Sequence, residues 1–133
     1  MPQLRPLFAA WMVLVCLAVE ASVVINEIHH TPDVKQERVE YVELVNDGAA
    51  AVDLGGWRFD SGIRFEFPPG TLLVPGAFLV VAAYPVALTA KFPGVQALGP
   101  WAGGLSGAGE TLELVDSNGA VQDAVDYGQG SPW

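Results

Sequence analysis

Several groups of residues have the types and spacing that chemistry uses. Asp60-Ser61-Gly62 has the residue order of an aspartic-protease triplet. That chemistry needs a second aspartate sharing one proton. Here Trp57-Arg58-Phe59 precede the triplet and Ile63 follows, so it is predicted to be the turn of a hairpin. His29-His30, with Asp33, Glu37 and Glu40 nearby, has the side chains of a metal site. Adjacent residues of an extended chain point to opposite sides, so the pair is predicted to begin a surface loop rather than chelate one ion. Asp116-Ser117-Asn118-Gly119 starts like a calcium loop but lacks the later Glu at loop spacing. Asn-Gly between two alternating runs is the signal of a hairpin instead. The segment from Gly103 to Gly109 has no Lys-Ser/Thr and is no phosphate loop. Ser106 has Ala108 where a nucleophile elbow needs glycine. No histidine follows His30, which leaves a hydrolase triad without a base unless one of this pair folds back. No catalytic, cofactor or metal-binding residue is therefore assigned. Trp101, in an apolar glycine-rich loop, and Trp133 are expected as exposed aromatics. Trp101 is the candidate ligand contact, with packing under a sheet as the alternative.

Composition narrows what can surround these residues. The chain has 133 residues, which suits one domain with a sizeable core. Six basic residues against 15 acidic ones give a net charge of −9. Nucleic-acid binding draws its affinity from Lys and Arg neutralising phosphates, so that class of partner is excluded. The single cysteine, Cys16, rules out an intrachain disulfide framework.

Residues 1–21 read as a targeting segment. Arg5 supplies a positive start, and Leu7 to Val19 is an unbroken apolar run. That run is short for a helix crossing a hydrocarbon core of about 30 Å. Val19-Glu20-Ala21 then places small or apolar residues at the −3 and −1 positions of a cleavage site after Ala21. Leu14-Val15 precede Cys16, which does not suit a lipoprotein signal. The expected product is a secreted or cell-envelope domain, residues 22–133, with no membrane insertion after cleavage.

The remainder reads as short strands punctuated by Gly, Pro and Asn turns. Extended runs are expected at 22–28, 39–46, 51–54, 57–60, 63–67, 77–84, 110–116 and 120–127. The stretch 57–60 and 63–67 form one hairpin, and 110–116 and 120–127 another. The apolar run at 77–84 suits a central strand covered on both faces. Residues 85–109 are loop-rich, with one or two helical turns at 86–92. Alternation puts Tyr41, Glu43 and Val45 on one face and Val42 and Leu44 on the other. Either a bulge shifts the register here or Glu43 sits at a rim where its carboxylate finds donors. No helical period persists over three turns, so the fold class is an all-β sandwich.

The order of these motifs resembles the lamin tail domain family, including its bacterial secreted type. The likeness rests on Val24-Ile25-Asn26-Glu27-Ile28, Glu40-Tyr41-Val42-Glu43-Leu44-Val45-Asn46 and Val52-Asp53-Leu54-Gly55-Gly56-Trp57. It continues through Phe65-Glu66-Phe67-Pro68-Pro69-Gly70-Thr71, Pro75-Gly76 before Phe78-Leu79-Val80-Val81, and Gly109 to Asp116 with Asn118-Gly119. Asp123 to Gly128 and Pro132-Trp133 close it. The resemblance implies an immunoglobulin-like two-sheet sandwich, and Leu54 and Trp57 are expected to enter its core around the Gly55-Gly56 corner. The heptad rod of nuclear lamins is absent, and the acidic balance does not suit a nucleic-acid role borrowed from their tails. By that analogy the function is a non-catalytic adhesion, scaffolding or protein-interaction module, with a protein or glycan surface as partner. The alternatives are an accessory N-terminal domain of a larger secreted enzyme (a nuclease, phosphatase or spore-coat-type kinase) and a carbohydrate- or calcium-binding module.

Overall fold

The computed structural model describes residues 22–30 and 38–128. The targeting segment 1–21, Asp33, Glu37, Pro132 and Trp133 lie outside these described residues. Two sheets carry the fold. The first pairs β1 (Val23–His29), β2 (Tyr41–Asn46), β7 (Phe78–Ala82) and β8 (Ala97–Leu98) in that spatial order. The second runs β11 (Val121–Gly128), β10 (Gly109–Val115), β4 (Arg58–Phe59), β5 (Ile63–Glu66) and β9 (Ala102–Gly103). A small third pairing joins β3 (Val52–Asp53) to β6 (Leu72–Leu73). One helix, α1 (Pro85–Lys91), begins with proline, whose fixed φ and missing donor suit a first helical turn. Pairing is antiparallel throughout except between β7 and β8.

Period-two alternation builds the core between the sheets. Val42, Leu44, Ile63, Phe59, Leu112 and Leu114 are all essentially inaccessible to solvent. Each such side chain contributes about 1.5–3 kcal/mol through burial. Phe65 meets Phe67 edge-on with centroids 5.1 Å apart, the arrangement that ring quadrupoles favour. At the Gly55-Gly56 corner Leu54 is fully buried, while Trp57 is half-buried against the core. Gly56 has φ of 78°, which a glycine adopts without steric cost.

Both predicted hairpins are present. Asp60-Ser61-Gly62 connects β4 to β5, with Phe59 opposite Phe65. Asp116 to Ala120 connects β10 to β11. The strand at 78–82 is central as expected: Leu79 and Val81 face the sandwich core, while Val80 and Ala82 face a second cluster built on α1. The loop-rich stretch holds more order than its composition suggests. It contains α1 and the two-residue strands β8 and β9, whose pairing partners lie far away in the chain.

The sandwich is closed along both sides. On one side β1 and β11 are drawn together where the Ile25 N–H donates to Asp123 Oδ2 at 2.7 Å. On the other, Gly99-Pro100-Trp101 carries the chain from β8 in the first sheet to β9 in the second. Trp101 belongs to the core and is only 8% exposed. The expectation of an exposed aromatic is therefore corrected. The short crossing presses this ring beneath the sheets, where its large apolar area is best buried.

Candidate functional site

The outer face of the first sheet departs most from a featureless solvated surface. Strict alternation from Val23 and Ile25 would turn Glu27 into the core. A bulge between Ile25 and Glu27 prevents this by inserting Asn26 as an unpaired residue. Ile25 lies opposite Leu44 and Ile28 opposite Val42, both toward the interior, while Glu27 lies opposite Glu43 on the outside. Of the two solutions foreseen for Glu43, the second holds: β2 alternates without a break, and the bulge lies in β1, where it relocates Glu27. Glu43 stands on the outward face, where its Oε1 accepts a 2.8 Å hydrogen bond from Asn26 Nδ2.

Beyond this pair the outer face carries His29 opposite Tyr41, and Tyr41 opposite Ala82. The His29 ring stacks on Tyr41 at 5.2 Å and 14°. The Tyr41 hydroxyl donates to Glu27 Oε1 at 2.6 Å. Burial, then the Glu27 hydrogen bond and the Glu27 and Glu43 charges, push the Tyr41 phenol well above its ordinary range. It therefore remains a neutral donor at physiological pH.

Helix α1 covers only one end of this face. Leu88 packs with Val39 and Ala82, which fixes the helix against β7. Between helix and sheet lies a cleft of about 220 Å³ lined by Tyr41, Glu43, Val80, Leu88, Phe92 and Val95. Its walls are mainly apolar, and Glu43 and Tyr41 are its polar residues. At the rim Phe92 is exposed and Lys91 Nζ lies 5.7 Å from its ring centroid. A second depression on the opposite sheet has two arginines, Arg58 and Arg64, against Asp60 and Glu66. Those charges balance, and Arg58 Nε already lies 3.5 Å from Asp60 Oδ2.

Of the residues singled out in the sequence, Glu43 lines the first depression and Asp60 the second, and the other candidate groups lie apart from both. Asp60-Ser61-Gly62 is held as a turn, with Ser61 Oγ donating to the Thr111 carbonyl at 2.9 Å. His29 ends β1 on Tyr41, whereas His30 packs on Tyr127 at 4.8 Å, so the adjacent rings lie on different tyrosines. His29 lies within the strand rather than in a loop, since its ring has an aromatic surface to cover. Asp116 Oδ1 accepts the N–H groups of Asn118 and Ala120, which fastens the hairpin turn. Ser106 N–H donates to Glu110 Oε1 and Ser106 Oγ accepts from Ala108 N–H. Trp101 Nε1 is buried with no partner among the described residues. The cleft residues Leu88, Phe92 and Val95 escaped sequence reading. The only local signal was the carboxylate of Glu43 in a largely apolar strand, which marked the face but not its cover.

A family model described as Lamin Tail Domain matches residues 18–129. No curated protein matches the chain.

Proposed function

The chain belongs to the lamin tail domain family, and from that premise we propose that it is an exported, non-catalytic interaction module for adhesion or scaffolding. Its contact surface is the outer face of the first sheet beside α1. The observation that carries this reading is the open cleft there, where apolar walls meet a carboxylate and exposed Phe92. Ligand sites combine apolar walls with a few polar groups in this way. Val86, 85% exposed on α1, and Phe78, on the same sheet face, extend the apolar area available to a partner. The apolar run behind Arg5 and the Val19-Glu20-Ala21 site support export.

Two measurements test the reading. The protein recovered from the medium or envelope of expressing cells should begin at Ser22 by mass spectrometry. A product retained in the cytoplasm with residues 1–21 intact sinks the export half. A broad hydrolase screen of the purified protein should give no turnover, and reproducible turnover sinks the non-catalytic half.

A further inference from the structure

We propose that the cleft beside α1 receives a lysine side chain from a basic peptide segment of a protein partner, an inference that rests on the interaction-module reading above. Glu27 and Glu43 stand directly opposite each other across β1 and β2. Like charges in that position destabilise a sheet. Among the described residues neither carboxylate has an ion-pair partner; the ion pair Arg58–Asp60 lies on the other sheet. The polar neighbours of the two carboxylates are instead arranged around them. Asn26 donates to Glu43 and Tyr41 donates to Glu27, so the carboxylates are oriented without being neutralised. The Tyr41 oxygen, having donated its proton, keeps lone pairs that can accept from an ammonium group.

The walls of the cleft select for the rest of the side chain. Val80, Leu88, Phe92 and Val95 offer apolar contact beside Glu43. A lysine buries its four methylene groups on such a surface while its head reaches a carboxylate. Lys91 Nζ already lies 5.7 Å from the Phe92 ring centroid, so Phe92 serves the incoming side chain as an apolar wall. The net charge of −9 draws basic partners toward the protein and repels acidic ones.

The test uses the full chain titrated with a short lysine-rich peptide, and with the same peptide carrying norleucine or glutamate at every lysine. Fluorescence anisotropy reads binding, and thermal unfolding checks that each variant is folded. The lysine peptide is expected to bind, and the norleucine and glutamate peptides to bind far more weakly. Glu43→Gln, which keeps the Asn26 hydrogen bond but removes the charge, should weaken binding about tenfold. Phe92→Ala at the rim should weaken it as well. Asp126→Asn removes an equal charge from exposed β11 and should change little. Equal binding of the norleucine peptide, or equal loss in Asp126→Asn and Glu43→Gln, overturns the lysine site while leaving an interaction module in place. Absence of binding by the lysine peptide overturns it too. The module reading is tested separately, by the hydrolase screen and by the processing of residues 1–21, so its failure is distinguishable from failure of the lysine site.

Discussion

Asn46 is a fully buried polar residue at the end of β2, and every hydrogen-bonding group it carries is used. Its Nδ2 donates to the carbonyls of Ala50 and Leu73, at 2.8 and 2.9 Å, and its Oδ1 accepts the Gly48 N–H. Its backbone binds Ala77 and Gly76. One side chain thus ties the turn after β2 to β6. Asn46→Ala leaves two carbonyls and one amide unpaired, and should cost about 2–4 kcal/mol in urea unfolding. Tyr127 plays a similar part at the other end of the molecule. Its hydroxyl donates to Glu110 Oε1 at 2.8 Å, and that oxygen also accepts the Ser106 N–H. Burial, then the Glu110 hydrogen bond, raise its phenol above the ordinary value of 10.0. A raised folded value means that the unfolded chain loses this proton first. The stability contributed is therefore complete below the ordinary value and is lost as pH rises toward the folded one. Tyr127→Phe should lower stability by about 1 kcal/mol near neutrality. It should also make the alkaline fall shallower, as measured by urea unfolding on either side of that value.

Among the elements, β1 depends most on its surroundings. Its bulge keeps Ile25 and Ile28 inward and Glu27 outward, and it is pinned by a residue far away in sequence, Asp123. Asp123→Ala strands a half-buried amide and should cost about 1–3 kcal/mol. Hydrogen exchange at Ile25 should accelerate more than exchange at Leu44, which keeps its ladder. The adjacent pair Glu27–Glu43 makes the opposite prediction. Glu43→Gln removes the like-charge repulsion and should raise stability by about 0.5 kcal/mol, seen as a higher midpoint in urea. A gain in stability with a loss of peptide binding is the pattern of a site maintained at the expense of the fold. In β10, Gly109 has φ of 98°, and a Cβ there would collide with the Tyr127 carbonyl. Gly109→Ala therefore should break the end of the β10–β11 ladder. These elements differ in how openly the sequence declares them. The hairpins at Ser61-Gly62 and Asn118-Gly119 were legible because turn and alternation sit within a few residues of each other. Strands β6, β8 and β9 were not, because two residues carry no period and owe their extended shape to a distant partner.

At the scale of the whole molecule, stability rests on the apolar core and on closure of both sides of the sandwich. The sequence has one cysteine, so reducing agent should leave the melting temperature of the purified monomer unchanged. A drop in that temperature would overturn this expectation. The sequence by itself determined the fold class, the family resemblance, the inward set of β2 and the acidic balance. All of these depend on side-chain period, turn chemistry or simple counting, which are properties of neighbouring residues. It also marked Glu43 as a carboxylate on a strand that needed a special arrangement. Only the tertiary structure decided where that arrangement led. The bulge at Asn26 lies beside Ile25, whose amide is received by Asp123 from a distant strand, and Trp101 is core where a three-residue crossing carries it under the sheets. The cleft required Leu88 of α1 to dock on Val39 and Ala82, residues that local pattern does not connect. Packing between distant segments depends on shape and volume across the whole chain, and no local period in the sequence encodes it.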